Sequence, residues 1–152
     1  MSAATSQVRD CMSMRLITVD ASDSVYDAAE IMTENHVGCT VVMQNDDIAG
    51  IITKGDIIKN CLLTNQDPKK VRASSIMSTP VVTVSPDDSL EQAAKKMSAR
   101  NVSKLPVVDD ESGLLVGMIT STDVMRIEPS YVEYLKELIH SRSSSSSSSG
   151  KS

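Results

Sequence analysis

The stretch Gly50-Ile51-Ile52-Thr53-Lys54-Gly55-Asp56 is written a second time as Gly117-Met118-Ile119-Thr120-Ser121-Thr122-Asp123. In both, a short apolar run ends on a threonine, and an aspartate follows three positions later. That pattern reads as a strand running into a helix, with the threonine at the cap and the acid in the first turn. Upstream the likeness continues at a shift of 65 instead of 67. Val42 meets Val107 and Val37 meets Val102. Val25, Ala28, Ala29 and Met32 meet Leu90, Ala93, Ala94 and Met97. Thr18-Val19 meets Thr83-Val84, and Met12 meets Met77. Two extra residues in the turn around Glu111 to Gly113 account for the change of shift. The chain is therefore an internal tandem repeat, the feature to settle before any other in a sequence.

Each copy predicts the order β-α-β-β-α. A short β-branched run comes first, over 16–19 and 81–84. Turn and cap residues follow, Asp20 to Ser24 and Ser85 to Ser89. The next apolar residues fall at i, i+3, i+4 and i+7, one stripe of an amphipathic helix. Its paired alanines allow close approach to a neighbouring element. Two apolar runs over 40–43 and 48–52 are separated by Asn45-Asp46-Asp47, and runs over 105–108 and 114–119 by Asp110 to Gly113. Both pairs read as hairpins. A last helix begins after Thr53 and after Thr120. The expected fold class is thus α/β, built from two such repeats related by pseudo-two-fold symmetry and packed into one module, since a unit of ~55 residues is marginal alone.

The expected organisation is repeat 1 over 8–62, a polar linker over 63–75 containing Pro68, and repeat 2 over 76–128. A further helix over 129–141 has Val132, Leu135, Leu138 and Ile139 on its apolar face. A serine-rich tail over 142–152 cannot bury apolar surface and is expected to be disordered.

Composition narrows the function. Net charge is -5, so a general nucleic-acid binder is disfavoured, because a phosphate backbone needs a basic footprint. A local patch at Lys69, Lys70 and Arg72 is the only opening for one. With three Tyr, no Phe and no Trp, there is no aromatic platform for stacking bases. No apolar run approaches the ~20 residues of a membrane span, and residues 1–10 lack the apolar stretch of a signal peptide, so none is expected. Cys11, Cys39 and Cys61 form no CxxC pair and read as buried thiols of a reducing, cytoplasmic protein. No metal site is expected. The two histidines, His36 and His140, sit near helix ends, where they read as caps or exposed residues. No nucleophile, acid/base pair, phosphate loop or dinucleotide fingerprint accompanies them, so no catalytic residue is assigned and the chain is not expected to be an enzyme.

The Thr-x-x-Asp junctions admit two readings. The hydroxyl and the first N–H groups of a helix can receive a phosphate, and a carboxylate can accept two hydrogen bonds from a ribose diol. The same spacing is that of a capping box, in which threonine and acid satisfy each other's backbone amides. The two roles are compatible.

Two copies of this arrangement, together with Val102-Ser103-Lys104-Leu105-Pro106-Val107-Val108-Asp109 before and along the central strand of the second, resemble the cystathionine-β-synthase (CBS) domain family. Its tandem pairs are called Bateman modules. The resemblance covers about residues 8–127. It implies adenosine-containing ligands (AMP, ADP, ATP or S-adenosylmethionine) held between copies. Thr53 and Asp56 would then work with Val82, Val102, Ser103 and Lys104, and Thr120 and Asp123 with Ile17, Val37, Gly38 and Cys39. Lys104 occupies a place where the family often has a basic phosphate contact, and Arg15 and Lys54 are further phosphate candidates. The first copy reads Gly38-Cys39-Thr40-Val41 there, with neither the basic residue nor the proline. On that grouping the Thr53/Asp56 site is expected to bind phosphates better. The resemblance also implies a homodimer, an effector protein as target, no required cofactor beyond the regulatory ligand, and no membrane partner. The competing expectation is a ligand-free dimerisation or scaffold protein with the same fold.

Overall fold

The computed structural model describes residues 6–136. Leu138, Ile139, His140 and the serine-rich tail lie outside the described residues. The chain divides into two compact units. One is Leu16–Val81; the other joins the chain up to Arg15 to the chain from Val82 onward.

In the Leu16–Val81 unit, β1 (Thr18–Asp20) leads to α1 (Val25–Glu34), then β2 (Cys39–Gln44) and β3 (Asp47–Thr53). β2 is central, parallel to β1 and antiparallel to β3. Asn45 and Asp46 both have positive φ, the two-residue geometry whose twist matches a hairpin. Ser24 caps α1 by accepting from the Asp27 amide, and the Asp27 carboxylate returns the bond to the Ser24 amide. The expected stripe faces inward: Val25 and Ala28 are fully buried and Met32 nearly so. After β3, α2 (Lys54–Ile57) passes directly into a π-helical turn, Ile58–Leu62.

The segment expected as a polar linker returns along the start of α1. The Val25 amide donates to the Val71 carbonyl and the Tyr26 amide to the Pro68 carbonyl. A short helix, α3 (Ala73–Ile76), then places Ala73 and Ile76 in this unit's core beside Val19, Val42 and Ile52. Three apolar residues dispersed among polar ones (Val71, Ala73, Ile76) make the contact, too few for a periodic signal.

The other unit repeats the plan with α4 (Leu90–Arg100), β4 (Lys104–Val108), β5 (Leu115–Thr120) and α5 (Ser121–Ile127). Leu90, Ala93, Ala94 and Met97 are all fully buried, and Ser89 and Gln92 form the capping box. Here the expected first strand over 81–84 shrinks to one parallel bridge, Val84 to Val107. The reason is Pro106. Its counterpart Val41 donates its amide to the Ile17 carbonyl, at 3.2 Å, and proline has no amide to donate. Residues 132–136 are helical. Tyr131 and Leu135 are buried against this core.

The residues ahead of each copy pack with the other copy's unit. Ser13 bridges Met118 on β5, and Ser78 bridges Ile51 on β3. Val8 is fully buried beside Leu90 and Leu105, and Arg9 pairs with Asp87. Met12 and Met77, equivalent in the repeat, each lie over a glycine. A Cβ at Gly50 would meet Met77 Sδ at 2.6 Å, and one at Gly117 would meet Met12 Sδ at 2.8 Å. Residues 8–15, counted with repeat 1 by sequence, thus join the second unit, and residues 76–81 join the first. No helix among the described residues is long and apolar enough to cross a membrane.

Candidate ligand-binding site

Each strand-to-helix junction is a closed capping box. Thr53 Oγ1 accepts from the Asp56 amide at 3.1 Å, while Asp56 Oδ2 accepts from the Thr53 amide at 2.9 Å. In the second copy the same bonds are 3.2 Å and 3.0 Å, between Thr120 and Asp123. Both threonines are extended, as a cap requires. The structural half of the double reading is therefore realised in both places. Each carboxylate keeps acceptor capacity beyond its cap, since each oxygen carries two lone pairs.

Two further residues occupy that capacity. Ser78 Oγ lies 3.2 Å from both oxygens of Asp56, and Arg126 Nη1 lies 3.3 Å from Asp123 Oδ1. Neither was singled out by sequence. A signal for Ser78 existed: Met12-Ser13 and Met77-Ser78 are the same dipeptide at the repeat shift of 65. Asp123 is 17% exposed and Arg126 66%, so that ion pair is open to water on one side and contributes at most ~1 kcal/mol.

Within each unit, hydrogen bonds gather the other candidates at the same end of the hairpin. The Lys54 amide donates to the Gly38 carbonyl at 3.1 Å, and Cys39 stands opposite Thr53 in the ladder. The Ile17 carbonyl accepts from the Val41 amide and from the buried Thr40 hydroxyl at 2.9 Å. Val37 is half-buried, its amide bound to the Met32 carbonyl. In the other unit the Ser121 amide donates to the Ser103 carbonyl at 2.8 Å, and Lys104 stands opposite Thr120. Val102 and Val82 pack on that unit's core. Arg15 is exposed. The antiparallel register thus sets Lys104 opposite Thr120 of its own copy and Cys39 opposite Thr53 of its own, with Gly38 bound to the Lys54 amide. The cross-copy grouping implied by the resemblance draws residues from both units, whereas each unit on its own assembles a same-copy set.

Burial, with Asp10 and Asp123 close by, pushes the Cys11 thiol up from its ordinary value. Among the described residues, no group of three or more His, Cys, Asp or Glu is arranged to hold a metal ion.

The family described as CBS domain matches residues 8–62 and 73–130. An uncharacterised protein of Methanocaldococcus jannaschii is 35% identical over 127 residues, covering 82% of this chain and 67% of that protein. A homoserine O-acetyltransferase of Methanosalsum zhilinae is 36% identical over 121 residues, 79% of this chain but 23% of the transferase. The chain thus spans about two thirds of one relative and about a quarter of the other. Among solved structures, the CBS domain pair of protein MJ0100, in complex with 5′-methylthioadenosine and S-adenosyl-L-methionine, is 32% identical. It covers 81% of this chain and 95% of its own, with a TM-score of 0.71. Both copies of the β-α-β-β-α plan fall within the matched residues, and the chain belongs to the CBS domain family as a tandem pair.

Proposed function

We propose that this CBS pair is a non-catalytic regulatory module that binds an adenosine-containing ligand at its Thr-x-x-Asp junctions and signals occupancy to a partner protein, as a cytoplasmic homodimer. One observation carries the reading. At each junction a carboxylate is fixed by its own backbone cap, and among the described residues its remaining acceptor capacity is met by one side chain, Ser78 or Arg126, that a ribose diol can replace. A carboxylate with spare lone pairs beside a helix start suits a nucleoside. The 32% identity to a CBS pair solved with two adenosyl compounds supports the same ligand class.

The two junctions differ in charge. Lys104 and Arg126 accompany Thr120 and Asp123, while Gly38 and Cys39 accompany Thr53 and Asp56, with Lys54 next in sequence. We assign the phosphate-bearing ligand to the Thr120/Asp123 junction. The less charged one goes to Thr53/Asp56. This reverses the order expected from cross-copy grouping. Ligand binding matters for signalling only if one arrangement of the protein binds better than another.

The closed capping boxes favour a second reading, a scaffold whose threonines and aspartates only cap helices. A thermal-shift screen separates the two. A ligand at about a hundred times its Kd stabilises the folded state by about 2.7 kcal/mol. AMP, ADP, ATP or S-adenosylmethionine should raise the melting temperature of the native chain. Asp123→Asn should remove the response to the nucleotides, since an amide can still accept the Thr120 amide's hydrogen bond but carries no charge. No shift with any of the four leaves the scaffold.

A further inference from the structure

Ser13 and Ser78 are equivalent in the repeat, yet their hydroxyls make different bonds. Their backbones are pinned alike. The Ser78 amide donates to the Ile51 carbonyl at 2.7 Å, and the Ile51 amide returns the bond at 3.2 Å. Ser13 exchanges the same pair with Met118, at 2.8 Å and 2.9 Å. The side chains then part. Ser13 Oγ accepts from the amide of Arg15, two residues on, at 3.3 Å. The residue two places after Ser78 is Pro80, which has no amide to donate. That local bond is closed to the Ser78 hydroxyl, which turns to Asp56 instead.

Its position on Asp56 is specific. Ser78 Oγ lies 3.2 Å from Oδ1 and 3.2 Å from Oδ2. A group equally distant from both oxygens straddles the carboxylate, and the two hydroxyls of a cis-diol have to straddle it in the same way. Arg126 meets Asp123 at Oδ1, at 3.3 Å. A hydroxyl has one proton, so Ser78 divides it between two acceptors, and both contacts are longer than the ~2.7 Å usual for such a donor. The side chain is exposed, and exposed side chains change rotamer within nanoseconds. Ser78 therefore yields to a better donor. Its backbone stays fixed to Ile51, so the hydroxyl swings back once the carboxylate is vacated.

We propose that Ser78 is a built-in competitor at the Asp56 junction, setting the concentration at which that junction takes a ribonucleoside. Only molecules with the hydroxyl turned away are ready to receive a diol, and the apparent affinity is reduced by that fraction. At the other junction the equivalent serine is held by the Arg15 amide, and Asp123 is left to Arg126. The duplicated sites are thus regulated by different groups, a neutral hydroxyl in one and a guanidinium in the other. The proposal rests on the reading of Asp56 as a ribose acceptor and adds the residue that tunes it.

Calorimetric titration of the full chain with adenosine, which carries the diol without a phosphate, tests it. Ser78→Ala should tighten binding by about two- to tenfold, the net worth of one hydrogen bond exchanged for water. Ser78→Thr keeps the hydroxyl and should bind as the native chain does. Ser13→Ala, the equivalent change in the other copy, should also leave the affinity as it was. Asp56→Asn should abolish the heat, which assigns it to this junction. Binding that Ser78→Ala leaves unchanged or weakens, or that Ser78→Thr or Ser13→Ala tightens equally, overturns the competitor while Asp56 remains a ribose acceptor. No heat from either the native chain or Ser78→Ala, or heat that survives Asp56→Asn, overturns the reading of the junction, and the competitor falls with it.

Discussion

Asp56 and Asp123 each do two things that a single substitution cannot separate by size alone. Alanine would remove the cap and the acceptor together. Asparagine keeps an oxygen for the threonine amide and removes the charge. Asp56→Asn should therefore cost less than ~1 kcal/mol in urea unfolding, while Thr53→Ala costs about 0.5–2 kcal/mol, the range for losing a cap. Equal losses would mean that the carboxylate, and not the threonine, holds the helix start. Cys11 offers a second check at this scale. Cys39 and Cys61 are buried, and Cys11 is partly open with its thiol held protonated by burial and by Asp10 and Asp123. Iodoacetamide at pH 7 should label Cys11 alone, and more slowly than a free cysteine, because the thiolate is the nucleophile. Raising the pH should speed it, and mass spectrometry of the labelled chain reads both. Rapid labelling at neutral pH would contradict that environment.

At the scale of elements, the glycines at 50 and 117 distinguish two otherwise equivalent sockets. The three atoms nearest to a Cβ at Gly50 all belong to the Met77 side chain, which can move aside. At Gly117 it also meets the Ser13 backbone oxygen at 2.8 Å, which cannot move without lifting the segment from β5. Gly117→Ala should destabilise by about 1–3 kcal/mol and Gly50→Ala by less, measured by thermal unfolding. Helices, hairpins and caps were legible in the sequence because their signals are local and written twice. The stripe at Val25 and Leu90, the Asn45-Asp46 turn and the Thr-x-x-Asp boxes needed no knowledge of what lay opposite. What stayed hidden was non-local. Aligning Met12 with Met77 identified equivalent residues, but not the glycine each would cover, because that glycine is in the other copy. Pro106 was visible, yet its cost to the strand around Val84 follows only once Val41 is seen donating to Ile17. The same limit held for the site. Thr, Asp and Lys104 were singled out as residues, whereas Ser78 reaches Asp56 from 22 residues away, with only the repeated Met-Ser dipeptide to mark it, and Arg126 meets Asp123 at the i,i+3 spacing of a helix, a signal the sequence carried.

For the whole molecule, the crossed connectivity makes each unit depend on a segment from outside its own repeat. Val8 is fully buried, and the Met118 amide donates to the Ser13 carbonyl at 2.9 Å. A chain shortened to begin at Leu16 would leave that amide and the core around Leu90 uncovered. In hydrogen exchange, amides of β5 should lose protection while those of β2 and β3 keep theirs, since local stability follows the contacts that remain. Uniform loss across both units would mean that they unfold as one.

The most direct measurement is calorimetric titration of the native chain with AMP and with 2′-deoxy-AMP. If the junction carboxylates receive a ribose diol, AMP binds and the deoxynucleotide, short of one hydroxyl, binds at least about tenfold more weakly, the loss expected for one hydrogen bond to a charged group. Equal affinities, or no heat from either, would leave Asp56 and Asp123 as helix caps and nothing more.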